Sequence, residues 1–438
     1  MNRPGIMLVA GDPSGDANAA ALVRELTVAV PAAQFRITND TQPLTTPLAP
    51  AFFGAGGPKM AAAGVELACD LTAHAVIGVG GLFKQLPMLR RLMAELLRLA
   101  VQRQPEVIIL VDYGGFNLRF ARAIKDFVRA RTGPFFQWQP KIVQFISPQV
   151  WASRPGRAKK MARDYDLVLS LFPFEKEWFA GRAPQLPVEF VGHPIFDRYP
   201  RPRHAETPAG HDAGPPVVLL LPGSRQGELW RHVPVMREAA NLIAGRQQAR
   251  FKMVVPGQAL ADVAGALLPD SQTAINLQVG GLDDALSSAT VAITKTGTIT
   301  LECAYFGVPA VALYKTDWIT YLGGRRLVSV DYLSMPNLLA GEPVYPEFIQ
   351  GHATAANIAA AASQLLADPE QRLRIRAKLR SVISSLGGPG AARRAAAAVV
   401  KLLGGLGQSQ VVGRDSVEPK LDFSGKCHGS TESRLRLP

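Results

Sequence analysis

Asp112 is the residue whose position in the sequence most directly indicates chemistry. It follows the apolar run 107–111 without a spacer, and two glycines, an aromatic ring and Asn117 come next. An ionised carboxylate loses hydration at the end of a buried strand, so a chain keeps one there mainly when it is paired or used. Asp112 is therefore a candidate general base. A helix cap or an ion-paired carboxylate is the alternative that the residues leave open.

A second group of short polar side chains lies in residues 11–16, Gly-Asp-Pro-Ser-Gly-Asp, after the first apolar run. The loop has neither the Gly-Lys-Ser/Thr of a phosphate-binding P-loop nor the spacing of a dinucleotide-binding glycine loop. Asp12, Ser14 and Asp16 are candidates for an acceptor-sugar pocket, as is Asn117. The plainer interpretation is that Ser14 and Asp16 only cap the following helix.

Two segments in the second half of the chain are typical of a nucleotide diphosphate site. Residues 221–225, Leu-Pro-Gly-Ser-Arg, end an apolar run, and Arg225 offers a fork of donors to a pyrophosphate. Residues 295–302 open a predicted helix, whose first N–H groups and positive dipole end attract phosphate. The candidates at that helix start are Thr296, Gly297 and Thr298. Glu302 follows one helical turn later, within reach of a ribose diol. Either segment alone could be structural; together they favour a nucleotide site.

Two further polar residues have a structural and a functional interpretation each. Asn337, in a Met-Pro-Asn turn, could hold a base or sugar edge through its donor and acceptor, or could simply begin a short helix. His193, in a Gly-His-Pro turn, is a second candidate base. A turn histidine whose ring is used by local hydrogen bonds is the more common alternative.

Short apolar runs alternate with helical stretches along the chain. The first half contains the runs 5–10, 107–111, 141–146, 167–171 and 188–191, and the second half contains 217–221, 251–255, 291–294 and 309–314. Continuous runs of this kind are expected of parallel strands that helices cover on both faces. The pattern predicts an α/β protein with two doubly wound Rossmann-like domains and an active site in the interdomain cleft.

Composition shifts give the predicted domain boundaries. They are an N-terminal acceptor-binding domain over 1–204, a linker over 205–216, a C-terminal nucleotide-binding domain over 217–352, and helices over 353–403 that pack across the domains. Residues 36–50 look like a surface insertion. Residues 404–438 have little apolar content and no period, which predicts a disordered tail.

The chain has 438 residues and a formal charge of +13, so it should attract anions. No basic arm, zinc finger or aromatic RNA-binding signature favours nucleic acid as the partner. Three scattered cysteines, at positions 69, 303 and 427, predict neither a disulfide framework nor a zinc cluster. No signal-peptide pattern and no apolar run of about 18 residues is found, so we expect an intracellular protein without a transmembrane helix.

The segment 82–104 has apolar residues at helical spacing and basic residues on another face. One interpretation packs its apolar face on the protein core. The other places Phe83 and Met88 in the interfacial layer of a membrane, while Arg91 and Arg98 meet lipid phosphates.

Several separated segments together resemble a known family. They are VAGDPSGD, GAGGPKM, LVDYGGFN, ISPQVWA, DLVLSLFPFEKEWF, FVGHP, LLPGSRQGE, TGTITLECA, and DYLSMPNLLAG followed by PEFIQ. In these segments, and in their order over residues 5–385, the chain resembles bacterial lipid-A-disaccharide synthases. These are glycosyltransferases that join two acylated glucosamines in lipopolysaccharide assembly.

The resemblance implies a B-type (GT-B) glycosyltransferase that needs neither metal nor cofactor. The implied reaction is an inverting transfer from UDP-2,3-diacylglucosamine to 2,3-diacylglucosamine 1-phosphate, with a β(1→6) linkage. It places Arg225 and Asn337 at positions linked to UDP-sugar binding or catalysis, and Glu302 near the ribose. Asp112 would then take the proton of the acceptor 6-hydroxyl. Because both substrates carry acyl chains, peripheral attachment to the cytoplasmic face of the inner membrane is expected.

The chain departs from the family pattern at two positions. Asp12 stands where relatives usually have glutamate, and Gly114 stands where many have proline. Neither change removes a titratable group, so activity is still expected, with the acceptor preference open. The alternatives are another B-type UDP-sugar enzyme, such as an N-acetylglucosaminyl transferase or a sugar-nucleotide epimerase, and a non-catalytic relative that binds lipid or nucleotide.

Overall fold

The computed structural model describes residues 5–29, 51–72, 82–131, 133, 135–199, 214–269, 271–317 and 330–404, without the side chains of 82–86. The expectations for residues 36–50, for most of the linker 205–216 and for the tail beyond Gly404 lie outside the described residues.

The first sheet is built from the N-terminal half of the chain. Its strands are β1 (Gly5–Ala10), β2 (Ala51–Gly56), β3 (Glu66–Asp70), β4 (Val107–Val111), β5 (Lys141–Phe145), β6 (Leu167–Ser170) and β7 (Val188–Phe190). All described pairings are parallel, in the order β3-β2-β1-β4-β5-β6-β7. The helices of this half are α1 (Pro13–Ala29), α2 (Pro58–Ala62), α3 (Leu82–Arg103), α4 (Gly114–Arg129), α5 (Val150–Ser153), α6 (Arg157–Asp164), α7 (Pro173–Ala180) and α8 (Ile195–Arg198).

The second sheet is also parallel, in the order β10-β9-β8-β11-β12-β13. Its strands are β8 (Val217–Leu221), β9 (Arg250–Val255), β10 (Ile275–Val279), β11 (Val291–Lys295), β12 (Ala310–Tyr314) and β13 (Glu347–Ile349). The helices of this half are α9 (Gln226–Ala244), α10 (Gln258–Ala266), α11 (Leu282–Ser288), α12 (Thr298–Tyr305) and α13 (Met335–Ala340).

Each sheet has one point at which its strand order reverses. In the first sheet the reversal falls between β1 and β4, and in the second it falls between β8 and β11. Loops that leave two such strands diverge to opposite faces, which opens a crevice at their carboxyl ends. The predicted site segments 11–16, 112–117, 222–225 and 296–298 all begin at these four strand ends.

Three helices complete the chain: α14 (Ala355–Ala367), α15 (Pro369–Ser385) and α16 (Ala391–Gly404). α14 packs on α9, and α15 packs on α12 and α13. α16 instead packs on α1, beside the first sheet, where Arg394 Nε donates to the Val191 carbonyl at 2.7 Å. The chain therefore returns to the first sheet after completing the second.

The predicted α/β class with two doubly wound, Rossmann-like units is confirmed, because the central strands are buried along their whole length. The apolar runs missed four strands: β2, β3, β10 and β13. β2 contains two glycines, and β3 and β10 are only partly buried, so none of these three strands has a continuous apolar run. Among the helices described, none is long and apolar enough to cross a membrane.

Candidate active site

Asp112 lies in a strained turn directly after β4. Asp112 and Tyr113 have φ angles of 50° and 42°, in the left-handed region that side chains other than glycine rarely adopt. The Asp112 carbonyl accepts hydrogen bonds from Asn117 Nδ2 at 2.6 Å and from Gln144 Nε2 at 3.1 Å. Its backbone N–H donates to Phe145 O at 3.0 Å. These contacts fix the turn, so the carboxylate stays at the carboxyl edge of the sheet.

The Asp112 carboxyl group has the electrostatics of a general base. Burial and the negative charge of Asp12 raise its pKa to about 6, while a hydrogen bond from the Tyr113 N–H opposes them. Within the described part of the chain, no cation comes within ion-pair distance of this carboxylate. A pKa near the working pH is what efficient proton transfer requires. The ion-paired alternative therefore has no support in the geometry.

The first loop is pressed against the Asp112 turn. A β-carbon on Gly11 would lie 2.3 Å from the Tyr113 ring, so only glycine permits this approach. Asp12 is brought close enough to raise the pKa of Asp112. Its side chain also accepts from the Gly15 N–H at 2.6 Å, at the start of α1. Asp12 is therefore the residue that caps this helix.

Asp16 was predicted to cap that same helix or to contact the acceptor, and the capping prediction is wrong, since Asp12 caps α1. The buried Asp16 carboxylate accepts from three backbone N–H groups at the start of α2, those of Gly57 at 2.9 Å and of Lys59 and Met60 at 3.0 Å. These donors lie more than forty positions away in the sequence, so local pattern could not show them. Ser14, by contrast, is exposed on α1.

The Asn117 side chain stabilises the Asp112 turn from the protein interior. Its side chain is fully buried, and Nδ2 also donates to Val111 O at 3.3 Å. Its predicted contact with the acceptor stays a prediction. The amide holds the backbone that carries the candidate base.

The second reversal point gathers positive charge around one carboxylate. Lys295 Nζ lies 2.7 Å from Glu228 Oε1, and the Arg225 guanidinium lies 3.9 Å from the same carboxylate. Glu228 Oε2 also accepts from the Ser224 N–H at 2.9 Å. Gly223 has a φ of 133°, and a β-carbon there would lie 2.2 Å from Glu228 Oε2. The loop after β8 is thus folded around the carboxylate, and Arg225 remains 69% exposed.

The loop after β11 leads into α12 as predicted, but its three candidates differ. The Thr296 N–H donates to Leu313 O at 2.9 Å and its side chain is buried, so Thr296 belongs to the sheet. Gly297 has a φ of 113° and precedes the helix, and Thr298 is the exposed first residue of α12. Gly297 and Thr298 therefore form the start of α12, at the carboxyl end of β11.

Glu302 connects the two halves of the molecule. Its buried carboxylate accepts from Arg198 Nη1 at 2.8 Å and from the Tyr199 hydroxyl at 3.3 Å, both from the end of the first half. Burial raises the pKa of Glu302, and the charge of Arg198 opposes that rise. Each carboxylate oxygen still has a lone pair that a ribose hydroxyl could use.

Asn337 has no hydrogen-bonding capacity left for a ligand. Nδ2 donates to Tyr345 O and to Glu347 Oε1, each at 2.8 Å, and Oδ1 accepts from the N–H groups of Val344 at 2.9 Å and Tyr345 at 2.7 Å. The side chain is buried as well. All four of these hydrogen bonds go to residues 344–347, so Asn337 shapes the loop before β13.

His193 is a poor candidate base. Burial and the charge of Arg198 lower its pKa to about 3, so the ring is neutral and weakly basic at physiological pH. Nδ1 accepts from the Ile195 N–H at 3.1 Å, and the ring lies against Phe172. The geometry is that of a turn histidine.

Helix α3 has the buried apolar residues and the exposed arginines expected of the segment 82–104. Leu92 and Leu96 are buried in the core, as the packing interpretation requires. Met88 is half-buried, and Arg91 and Arg98 are exposed. The helix begins at Leu82, so Pro87 lies within its second turn. The side chain of Phe83 lies outside the described residues.

The sequence as a whole matches one protein family. The family model described as lipid-A-disaccharide synthetase matches residues 6–401. The lipid-A-disaccharide synthase of Geobacter metallireducens is 36% identical over 411 residues, which cover 91% of this chain and 97% of the relative. That of Geobacter sulfurreducens is 36% identical over 412 residues, with the same coverage.

The chain belongs to the lipid-A-disaccharide synthetase family. This confirms the family predicted from the sequence and the class of enzyme, a glycosyltransferase of lipid A biosynthesis.

Solved structures with low sequence identity show the same fold. CalG4, the calicheamicin glycosyltransferase, has a TM-score of 0.54 and 16% identity, with 94% of this chain and 100% of that chain covered. The S. aureus MnaA-UDP co-structure has a TM-score of 0.56 and 13% identity, with 92% and 97% covered. The B-type fold predicted for this chain is therefore confirmed.

Three residues of the candidate site were not singled out from the sequence. Gln144 lies inside an apolar strand, and its polarity there was the available signal, because a buried amide needs partners. Glu228 follows the first predicted nucleotide segment, and Lys295 is the first residue of the second. Their ion pair joins the first turn of α9 to the end of β11, which only the strand order reveals.

Proposed function

We propose that this enzyme transfers a 2,3-diacylglucosaminyl group from its UDP derivative to the 6-hydroxyl of 2,3-diacylglucosamine 1-phosphate. The anomeric configuration inverts, a β(1→6) bond forms and UDP leaves. Membership of the family supports the reaction class. The observation that carries the mechanism is the Asp112 carboxyl group, which has no ion-pair partner among the described residues and whose pKa is raised to about 6 at the first reversal point.

Asp112 acts as the general base. The acceptor 6-oxygen forms a bond to the anomeric carbon while its proton passes to the carboxylate, and the bond from that carbon to the diphosphate oxygen breaks. A positioned base of this kind contributes about 10²- to 10⁴-fold to the rate. Asn117 and Gln144 keep the carboxylate in place through the Asp112 carbonyl. The negative charge of Asp12 helps to raise the pKa of Asp112. Exposed Ser14 lies beside the path of the acceptor.

Residues at the second reversal point bind the diphosphate of the donor. Arg225 and Lys295 carry positive charge there, and the start of α12 at Gly297 and Thr298 adds backbone N–H groups. Fixed donors of this kind stabilise charge that develops on a leaving group. Thr296 and Asn337 support this surface from within. Glu302 receives the ribose hydroxyls beside its contacts to the first half.

The enzyme meets its acylated substrates at a membrane surface. The amino-terminal part of α3, with Phe83 and Met88, lies against the acyl region of the cytoplasmic face of the inner membrane. Exposed Arg91 and Arg98 contact anionic headgroups. Replacing Phe83 and Met88 by glutamate should reduce co-sedimentation with anionic liposomes. Full binding by that variant would instead assign this face to the protein core.

Product analysis tests the proposed function. The purified protein is incubated with UDP-2,3-diacylglucosamine and 2,3-diacylglucosamine 1-phosphate, and the lipid phase is examined by mass spectrometry and by the anomeric coupling in NMR. We expect a β-linked disaccharide 1-phosphate and one UDP for each disaccharide. Epimerised UDP-sugar, or UDP release without a disaccharide, would contradict the proposal.

A further inference from the structure

Three arginines that have no assigned role gather at the carboxyl edge of the first sheet. Arg119 lies in the second turn of α4, Arg154 ends α5 and Arg157 begins α6. The Arg157 N–H donates to Arg154 O at 3.0 Å, and α4 packs on α6. Burial and the charges of Arg154 and Arg119 hold the pKa of Arg157 below its usual value. The guanidinium groups of Arg119 and Arg154 are thus close enough to repel that of Arg157.

No carboxylate balances this charge among the residues that the structure describes. Other arginines of the same two helices have acidic partners: Arg122 lies 2.7 Å from Asp126, and Arg163 lies 2.6 Å from Asp164. The three-arginine cluster has no such ion pair, and the first turn of α6 contains no acid. Unbalanced like charges destabilise a fold, so their placement here indicates an anion as the missing partner.

The cluster lies beside the candidate base. α4 starts at Gly114, immediately after the strained turn of Asp112, and α5 follows Pro148. A β-carbon on Gly114 would lie 2.8 Å from the Pro148 side chain, so the two segments are in contact. A ligand held by the arginines is therefore presented to the edge on which Asp112 lies.

We propose that Arg119, Arg154 and Arg157 bind the phosphate monoester of the acceptor. The inference rests on the proposed function, since it assigns a binding site to the acceptor's phosphate, at the end of the sugar opposite to the reacting hydroxyl. Guanidinium forks match phosphate oxygens in pairs, and a phosphate monoester carries enough charge to offset the repulsion among three arginines. The phosphate is bound and not transferred. Its anchoring sets the register of the sugar, so that the 6-hydroxyl reaches Asp112.

The test compares two acceptors, 2,3-diacylglucosamine 1-phosphate and 2,3-diacylglucosamine without the phosphate. For Arg157→Gln and Arg154→Gln we expect KM for the phosphorylated acceptor to rise at least about tenfold, the effect of losing one charged hydrogen bond. The kcat/KM for the acceptor without phosphate, and KM for the donor, should stay within about twofold of wild type. Arg129→Gln, on the same helix as Arg119 and next to Asp126, is the matched control.

Equal losses with both acceptors would make the arginines structural and overturn the proposal. An unchanged KM for the phosphorylated acceptor would overturn it as well. These two outcomes bear on the arginines only if wild type and Arg129→Gln form the disaccharide. If neither of these does, the proposed function itself has failed.

A phospholipid headgroup also offers phosphate oxygens to arginines, as a phosphodiester, and a second measurement separates the two sources. Vesicles of phosphatidylglycerol and of phosphatidylcholine are sedimented with wild type and with Arg154→Gln and Arg157→Gln. We expect the variants to bind phosphatidylglycerol as wild type does. Loss of that binding, with KM for the phosphorylated acceptor unchanged, would assign the cluster to the membrane and contradict the proposal.

Discussion

The carboxyl edges of the two sheets have the same backbone topology and opposite electrostatics. At the first edge, burial and the charge of Asp12 raise the pKa of Asp112, and no cation in the described part of the chain pairs with it. At the second edge, burial alone would raise the pKa of Glu228, but Lys295 and Arg225 bring it below its ordinary value. One carboxylate is therefore poised to accept a proton near neutral pH. The other stays ionised and holds cations in place.

This difference matches the two halves of a glycosyl transfer. The nucleophile must lose a proton, which requires a base whose pKa is not far below the pH. The diphosphate must gain stabilisation as its charge grows, which requires fixed positive groups. One fold, used twice, supplies both environments because loops after equivalent strands carry different residues.

The largest expected effect is that of removing the base from the first edge. Asp112→Asn keeps the size of the side chain, so turnover should fall at least about 100-fold while UDP affinity, measured by calorimetry, stays unchanged. Asp126→Asn on α4 is the matched control, since that carboxylate only pairs with arginines. Near-normal turnover of Asp112→Asn would refute its role as base.

Stability gives a second readout of the same variant. The folded-state pKa of Asp112 lies above its unfolded value, so ionisation of this carboxylate opposes folding once the pH exceeds the unfolded pKa. The melting temperature of Asp112→Asn at pH 8 should therefore be equal to or higher than that of wild type. A clear decrease would indicate that the carboxylate stabilises the fold.

The next effect concerns the framework of the second edge. Asn337→Ala removes four hydrogen bonds and leaves the N–H groups of Val344 and Tyr345 without their acceptor. The free energy of unfolding should fall by about 2 kcal/mol in denaturant titrations. UDP affinity of the folded variant should change less than stability does. Wild-type stability combined with lost UDP affinity would show direct contact with the nucleotide.

A smaller effect tests the cations directly. Lys295→Met should weaken UDP binding about tenfold in calorimetry, because one charged contact to the diphosphate is lost. Lys125→Met is a matched control: Lys125 is also 2.7 Å from a carboxylate, that of Asp166, and is similarly exposed, but it lies at the opposite edge of the first sheet. Unchanged affinity of Lys295→Met would remove Lys295 from the diphosphate site.

The sequence predicted the strands around both reversal points and the segments that follow them, because buried parallel strands and loop glycines are local signals. It did not predict what each polar side chain contacts. Asp16 caps a helix that begins more than forty residues later, and Glu302 pairs with Arg198 from the other half of the chain. Such partners depend on tertiary packing. Polar residues of one loop therefore looked alike in the sequence and differ in the structure.

The pH dependence of kcat/KM tests the central claim most directly. Wild type should lose activity as the pH falls through about 6, because Asp112 must be ionised to act as base. Asp12→Asn can still cap α1 but removes the neighbouring negative charge, so the acidic limb should move to lower pH. A kcat/KM that stays constant from about pH 5 to about pH 8 would contradict the account. So would an acidic limb that Asp12→Asn does not move.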